Sequence, residues 1–428
     1  MFTIIMHYNK FKEEKQITNE LKYKLLNFYG MAFILFGFCV QRPKEIIKGL
    51  YEIIRQPEGL ITDYIIIGGI GATFVNAGLL TLISIGIIRS LKINITGVSI
   101  ASIFLMTGFG MFGKNIFNIW LIILGVFLYA KIQKDSFDKH VYVALFGTSM
   151  APTITEIMFW VDQPFPIRFL LSIVVGISIG LIISPLSTYF LRVHKGFDLY
   201  NVGFTAGMIG TIFVSVFKSY GFVVQSKMIW STGNDLILGS FMTALCLAMV
   251  GTGIYLNGGS FKSLKNIFKY SGRLVSDFVL LEGFSVTLIN MGFNGLIGIA
   301  YILLVGGTLN GPTIGGILTM IGFGAFGKHA KNMIPIFIGV FLGSITKTWN
   351  INDPSILLAA LFGTGLAPIA GEYGWPYGVL AGFINSSVVL SVGILHGGLN
   401  LYNTGFAAGL VALFLIPIIE AFKKEERT

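Results

Sequence analysis

The amino-acid sequence predicts an all-α, polytopic transmembrane helical bundle made of two tandem repeats. Three observations carry this prediction. Of the 428 residues, 54% are hydrophobic and only 12% are charged, and the mean hydropathy is +0.79, which is too apolar for the surface of an ordinary soluble domain. Apolar stretches long enough to cross a hydrocarbon core of about 30 Å recur along the chain. Finally, the same polar motifs occur twice in the same order.

About fourteen hydrophobic segments are expected to form helices, because their apolar residues do not alternate as those of barrel strands do. In each half, one span and a basic amphipathic connector precede six further segments. The segments lie near 24–41, 64–88, 95–113, 117–130, 140–160, 166–191, 202–222, 238–256, 278–306, 311–327, 333–345, 354–374, 376–395 and 403–422. The domains are a cytosolic tail at 1–23, a transmembrane repeat at 24–223 and a second repeat at 224–428 that ends in a short basic tail.

Matched motifs define the repeat. A Gly-Phe-Gly-x-Phe-Gly-Lys segment, a Leu-Phe-Gly-Thr segment followed by Ala-Pro and Glu, and a Leu-Tyr-Asn segment occur in this order in both halves. Pairs at an offset of 214 residues are Asp63/Asp277, Asn76/Asn290 and Lys114/Lys328. Three blocks in one order indicate a tandem duplication.

Loop charges predict that the two repeats are inverted in the membrane. The loops at 89–94, 131–139 and 192–200 contain more Lys and Arg than their counterparts in the second half, and basic loops favour the cytoplasmic side. An odd number of crossings per repeat then leaves both termini cytoplasmic. The connector at 42–62 disagrees, because it would lie outside with four basic residues. Re-entrant half-helices would alter the number of crossings, and the segments concerned are 95–113, 117–130 and 333–345.

The Ala-Pro-x-x-x-Glu element predicts a discontinuous helix in each repeat. Proline removes a backbone donor and clashes with the preceding turn, which frees nearby carbonyls and leaves a half-helix with a positive N-terminal end. The residues of a midplane substrate or ion site would be Thr148, Pro152 and Glu156 with Thr364, Pro368 and Glu372. An intramembrane acid is a candidate functional residue. The alternative is structural, since Thr153-x-x-Glu156 also fits a capping box.

Three further pairs are candidate binding residues. Lys114 and Lys328 either provide a cation at a helix C-terminus or act as counter-ions to the glutamates. Asn76 and Asn290 lie mid-segment and need a hydrogen-bond partner, which is another helix or a permeating solute.

The third pair is Asn201 and Asn403, each at the start of a helix whose Gly-x-x-x-Gly spacing permits close packing. Helix capping is the simpler interpretation of this pair. The nearby His194 and His396 are expected to be solvated.

Composition excludes several classes of function. The net charge of +10 resides in short loops, so it indicates membrane orientation and not nucleic-acid binding. Only Cys39 and Cys246 are present, which supports neither disulfides nor a metal cluster. We expect no catalytic residues, no metal and no cofactor, with a proton or monovalent cation as the candidate coupling ion.

The predicted function is that of a secondary transporter or permease for a small solute or ion, with its site at the interface of the two repeats. The alternatives are a passive channel for a small neutral solute and, from another class, an intramembrane enzyme or a membrane scaffold. The expected partners are the lipid bilayer and a small-molecule or ion substrate, and a homo-oligomer is compatible with the sequence.

The Leu-Phe-Gly-Thr and Leu-Tyr-Asn blocks give the whole chain a resemblance to a family of uncharacterised bacterial multi-pass membrane proteins, of the domain-of-unknown-function type, in which such a unit occurs twice. The resemblance implies a bacterial cytoplasmic membrane location and names no substrate. The chain is more faintly similar to urea channels in its Tyr-Asn elements. It lacks their Leu-Pro-x-x-Thr-x-Pro-Phe signature, so their activity is not inferred.

Overall fold

The computed structural model describes residues 17–57, 59–224 and 227–425. In this part of the chain, helices joined by turns and loops are the regular structure, apart from one isolated bridge between Thr62 and Ile229. Most of the predicted tail at 1–23, together with Glu58 and Arg427, lies outside the described residues. The α-helices are α1 (Asn19–Val40), α2 (Pro43–Arg55), α3 (Tyr64–Ser90), α4 (Gly97–Phe109), α5 (Trp120–Ile132), α6 (Val141–Gly147), α7 (Pro152–Trp160), α8 (Phe165–Val193), α9 (Asn201–Ser219), α10 (Asp235–Leu256), α11 (Leu264–Ile267), α12 (Phe278–Glu282), α13 (Phe284–Leu304), α14 (Gly311–Phe323), α15 (Ala330–Thr346), α16 (Pro354–Gly363), α17 (Ala367–Tyr373), α18 (Trp375–Val392) and α19 (Asn403–Glu425).

Fewer helices are long enough to cross a membrane than the hydropathy pattern predicts. Within the described ranges, nine helical spans meet the length and composition of a crossing, and the bent pair α6 and α7 makes a tenth. Four apolar helices are shorter, namely α4, α5, α14 and α15. A helix of 13 residues extends only about 20 Å. The prediction of about fourteen spanning segments is therefore not confirmed.

Both Ala-Pro elements coincide with a 3₁₀ turn, but only the first turn bends the helix sharply, since the second lies within the single span Pro354–Tyr373. In the first repeat, a 3₁₀ turn at Thr148–Met150 separates α6 from α7, and the two helices are bent by 46°. In the second repeat, a 3₁₀ turn at Thr364–Leu366 separates α16 from α17. Pro152 and Pro368 each lie in the first turn of the helix that follows, where a missing N–H costs nothing.

In each repeat, an aspartate accepts a backbone hydrogen bond from the first residue of the other repeat's short helix, which is α4 in the first repeat and α14 in the second. Asp277, at the N-terminus of α12, accepts hydrogen bonds from the backbone N–H of Gly97 at 2.8 and 2.7 Å. The adjacent Phe278 N–H donates to the carbonyl of Ala325 at 3.0 Å. The start of α4 therefore lies beside the end of α14.

The equivalent contacts occur at the opposite end of this helix pair. Asp63, before α3, accepts a hydrogen bond from the N–H of Gly311 at 3.2 Å, and Tyr64 N–H donates to the carbonyl of Met111 at 3.3 Å. The start of α14 lies beside the end of α4, so the two matched helices run antiparallel. Gly108 allows their close approach, since a Cβ there would lie 2.7 Å from the carbonyl oxygen of Gly315.

A second pair of matched helices meets at the Leu-Tyr-Asn elements. The rings of Tyr200 and Tyr402, directly before α9 and α19, lie 4.7 Å apart. Gly203 and Gly207 of α9 pack against Tyr402 and Phe406, where a Cβ would clash with the rings. The Gly-x-x-x-Gly spacing thus permits the close packing predicted from the sequence.

Candidate functional site

Two fully buried lysines lie on the loops that follow α4 and α14. Lys114 and Lys328 are both inaccessible to solvent. Their loops are held by the mid-helix asparagines, since Asn76 Nδ2 donates to the carbonyls of Gly110 at 2.7 Å and Lys114 at 2.8 Å. Asn290 makes the equivalent bonds in the second repeat. The structure therefore gives both asparagines protein partners and makes them supports of the lysine loops.

Lys328 is held by hydroxyl groups. Its Nζ hydrogen-bonds the hydroxyl of Tyr200 and donates to Thr364 Oγ1 at 2.7 Å. The same Nζ lies 4.6 Å from the centroid of the Tyr200 ring, within the range of a cation–π contact. Thr364, from the 3₁₀ turn, in turn donates to the carbonyl of Leu361 at 2.5 Å. The 3₁₀ turn thus supplies a direct ligand of the lysine.

Lys114 has the same position in the first repeat but different contacts. Its Nζ lies 3.4 Å from both the carbonyl oxygen of Leu145 and the sulfur of Met106. Thr148, the counterpart of Thr364, donates to the same two acceptors. The buried hydroxyl of Tyr402 has no hydrogen-bond partner among the described residues. The first lysine is therefore not bonded to its tyrosine and threonine as the second is.

At another pair of matched positions, the first repeat has an aspartate, Asp198, and the second repeat has an asparagine, Asn400. Asn400 donates through Nδ2 to the carbonyls of Gly203 at 3.0 Å and Tyr402 at 3.2 Å. Its counterpart Asp198 is also fully buried and accepts from the N–H of Tyr200 at 2.9 Å through Oδ1. Asp198 Oδ2 has no partner in the described part of the chain. The centre thus contains one carboxyl group beside two lysines.

Aromatic rings surround the lysines and join the two repeats. The Phe109 ring lies 4.8 Å from the Tyr402 ring, and the Phe323 ring lies 5.0 Å from the Tyr200 ring. Lys114 Nζ is 5.0 Å from the Phe109 centroid. The centre is therefore a continuous aromatic layer with a lysine on each side.

A cavity of about 200 Å³ leads towards this layer from one face of the molecule. Its buried lining residues include Phe112, Phe362 and Leu401, and its exposed lining residues include Met228 and Ile394. Leu401 packs beside Gly113, the residue before Lys114, because a Cβ at Gly113 would clash with the Leu401 side chain. A thin apolar wall thus separates the cavity from the first lysine.

The two glutamates of the Ala-Pro elements occupy unlike environments. Glu156 is buried in α7, whereas Glu372 is exposed near the end of α17. Residues close to Glu372 include Tyr373, whose hydroxyl contacts Glu420 at 3.3 Å. The structure therefore does not bring the acids into two equivalent positions.

Asn201 and Asn403 have structural partners. Asn201 Oδ1 hydrogen-bonds His194 Nε2 at 2.9 Å while its Nδ2 donates to the carbonyl of Ser187, and Asn403 bonds His396 in the same way. Both histidines are buried, so the expectation that they are solvated was wrong. Each histidine folds back onto the asparagine seven residues later, which removes it from solvent.

Sequence reasoning did not select Tyr200, Tyr402 or Asp198 as site residues. The signal was present, because both tyrosines belong to the repeated Leu-Tyr-Asn element and the Asp-to-Asn exchange is one of its few polar differences. Tyrosine is common at membrane interfaces, which made the pair look ordinary. Among the described residues, no group of three or more His, Cys, Asp or Glu side chains is arranged to hold a metal ion.

The long apolar helices and the buried polar centre define a multi-pass helical membrane protein. The chain belongs to the family described as "Protein of unknown function (DUF1576)", whose model matches residues 42–219 and again residues 256–421. The two matches confirm the resemblance to an uncharacterised family with a two-copy unit. No curated protein and no solved structure matches the chain.

Proposed function

We propose that the protein is a permease that moves a small solute between two inverted repeats, through the layer that contains Lys114 and Lys328. The proposal has ten crossings, five in each repeat, and two re-entrant hairpins formed by α4 with α5 and by α14 with α15. Antiparallel packing of the matched helices α4 and α14 supports inversion, because an axis in the membrane plane reverses a helix along the membrane normal.

Contacts between loops support one basic, cytoplasmic face. Glu20 at the start of α1 pairs with Arg89 at 3.0 Å. Asp277 binds the N–H of Gly97 in the following loop, and the adjacent connector joins the loop after α8 through the bond from Leu274 N–H to the Gly196 carbonyl. The α19 end joins the same face, since its Glu420 pairs with Lys195 at 2.5 Å. These segments contain the excess of Lys and Arg that favours the cytoplasm.

The connector at 42–62 lies with a different set of loops. Leu60 N–H donates to the carbonyl of Gly398, and Thr62 pairs with Ile229. Asp63 binds Ser231 and the start of α14. We assign this set of loops to the outer face of the membrane. The amphipathic helix α2 keeps the basic connector at that face, although its positive charge alone would favour the cytoplasm.

The hairpins explain why four apolar helices are short. Both ends of the first hairpin lie near one another, because Ser99 Oγ at the start of α4 is 2.7 Å from the hydroxyl of Tyr142, which follows α5. Its tip carries Lys114. A chain that enters and leaves on one face adds no crossing, so each repeat keeps an odd number and the inversion follows.

The observation that carries the proposal is the pair of fully buried lysines at the repeat interface. Ionisable groups are costly within a membrane and usually mark a solute or ion path. The cavity opens at the outer face, whereas the inner face is covered by the Lys195–Glu420 pair and by Arg273 over the Phe197 ring at 4.5 Å. A path open on one side and closed on the other favours a carrier over a permanently open channel.

Flux measurements test this proposal. Purified protein in liposomes is expected to take up at least one member of a panel of formate, nitrate, urea and glycerol faster than empty liposomes do. Lys328→Met is expected to lower that flux by about tenfold or more, since it removes charge-assisted contacts. The control is Lys218→Gln, on the exposed side of α9.

No flux above empty liposomes for the whole panel, or full flux in a folded Lys328→Met protein, contradicts the proposal. Flux of urea or glycerol alone that ignores ion gradients supports the second candidate, a passive channel for neutral solutes.

A further inference from the structure

We infer that the permeating solute is a small monovalent anion, bound by the Lys114 ammonium and the Tyr402 hydroxyl. The inference rests on the proposed permease function and adds the chemical class of the solute and the residues that bind it.

The first line of support is the incomplete coordination of Lys114. An ammonium group has three N–H donors, and it is costly to bury unless these are satisfied. Its one oxygen acceptor, the Leu145 carbonyl, lies at 3.4 Å, beyond the usual 2.7–3.2 Å range. The matched Lys328 instead has two hydroxyl partners. Lys114 therefore retains donor capacity that an oxyanion would use.

The second line of support is a pair of buried hydroxyl groups without partners. Tyr402 Oη and Ser149 Oγ make no hydrogen bond within the described ranges, and both residues are almost completely buried. Their backbones are joined, because Leu401 N–H donates to the Ser149 carbonyl at 3.0 Å. Buried hydroxyls are usually satisfied. Tyr402 packs on Phe109, whose ring centroid lies 5.0 Å from Lys114 Nζ, and Ser149 follows the segment whose Leu145 carbonyl faces that Nζ. An oxyanion at Lys114 would be an acceptor for both hydroxyls.

The third line of support is the absence of an ion pair at Lys114 among the described residues, which indicates that the ligand is negatively charged. Lys328 lies near one carboxyl group, because its partner Tyr200 also donates its N–H to Asp198 Oδ1 at 2.9 Å. Among the described residues, none of the ion pairs includes Lys114. One ammonium group without an ion-pair partner in the described part of the chain is neutralised by one monovalent anion.

The surrounding side chains restrict the size of the anion. Phe112, Phe362 and Leu401 close the inner end of a cavity of about 200 Å³. Behind this wall, Lys114 and Tyr402 are almost completely buried, and the Phe109 and Tyr402 ring centroids lie 4.8 Å apart. Such close surroundings favour an ion of three or four heavy atoms, such as a short carboxylate or nitrate.

The inference is tested by binding and not by flux. Unfolding of the purified protein is followed at constant ionic strength in sodium formate or sodium nitrate, against sodium gluconate as the bulky anion. A specific ligand of the folded state raises its apparent stability. We expect stabilisation that increases and saturates with formate or nitrate, and none with gluconate.

Two variants and a control locate the site. Lys114→Gln and Tyr402→Phe are expected to weaken apparent binding by about tenfold or more, as loss of a charged or buried hydrogen bond predicts. Lys218→Gln, an exposed lysine of α9, is expected to bind as the wild type does.

Equal stabilisation by all three anions, or equal binding in Lys114→Gln, overturns the inference. Failure of the anion site and failure of the proposed transport function give different results. Binding without uptake by liposomes refutes transport and leaves the anion site in place, whereas uptake of neutral solutes without anion binding refutes the anion site alone.

Discussion

Replacement of Lys114 by methionine is expected to separate function from stability. The side chain is fully buried, and its nearest oxygen acceptor is the Leu145 carbonyl at 3.4 Å. A buried cation costs several kcal/mol after relaxation, and even the exchange of a complete buried ion pair for well-packed apolar groups is often neutral or stabilising by about 1–4 kcal/mol. Methionine has a similar length and adapts to irregular space. Lys114→Met should therefore leave the free energy of unfolding unchanged or raise it by about 1–4 kcal/mol.

Lys328→Met is the matched variant and should behave in the opposite way. It removes the contacts with Tyr200 and Thr364 and leaves Asp198 without its nearby cation. Loss of one member of a buried charged network typically costs about 3–5 kcal/mol. The two variants therefore differ in sign at matched positions of the repeat.

The assay is unfolding of both variants and the wild type in one detergent, followed by intrinsic fluorescence and by loss of the monodisperse species. Equal destabilisation by Lys114→Met and Lys328→Met would refute the reasoning, because it would show that Lys114 is as firmly bonded as its counterpart.

Two further predictions concern the tyrosines and the contacts between repeats. Tyr402→Phe deletes a hydroxyl without a partner among the described residues and should keep or slightly raise the free energy of unfolding. Tyr200→Phe removes a hydrogen-bond partner of Lys328 and should lower the free energy of unfolding by about 1–3 kcal/mol. The unfolding midpoints of the two variants check this, and a larger loss in Tyr402→Phe contradicts it. Asp277→Ala leaves the N–H of Gly97, at the start of α4, without its hydrogen-bond acceptor. It should lower the free energy of unfolding by about 2–4 kcal/mol. Hydrogen exchange of α4 should then accelerate, and unchanged protection there would argue against the role of this contact.

Much of the fold could be predicted from the sequence because polar residues in an apolar chain are few and informative. The repeat offset paired Asp63 with Asp277 and Lys114 with Lys328. The structure places the two aspartates in matching contacts and buries both lysines on matched loops, although the hydrogen-bond partners of the lysines differ. Proline after alanine indicated the sharp bend between α6 and α7, whereas in the second repeat the same element coincides with a 3₁₀ turn inside the single span Pro354–Tyr373.

The number of spans was harder to predict, because hydropathy measures apolar composition and not the path of the chain. A helix of 13 residues such as α4 is as apolar as a full span, but it packs inside the protein against α14. The half-helix that we propose for α4 is distinguished from a crossing only by the positions of its ends, which lie beside Asp277 and Tyr64.

The candidate site was predicted in part. The apolar surroundings of both glutamates in the sequence predicted that each would be a costly buried charge, yet Glu372 is exposed near a helix end. A hydropathy pattern along the chain does not show how deeply a residue is buried in the fold. The tyrosine partner of Lys328 comes from a segment 128 residues away in the chain. Contacts that cross between repeats have no signature in local spacing, so they required the fold.

The most direct test of the central claim is formate uptake by liposomes containing wild-type protein or Lys114→Met. We predict saturable uptake by the wild type that falls by about tenfold or more in Lys114→Met, although this variant is at least as stable. Unchanged uptake in the folded variant would contradict an anion path through the buried lysine.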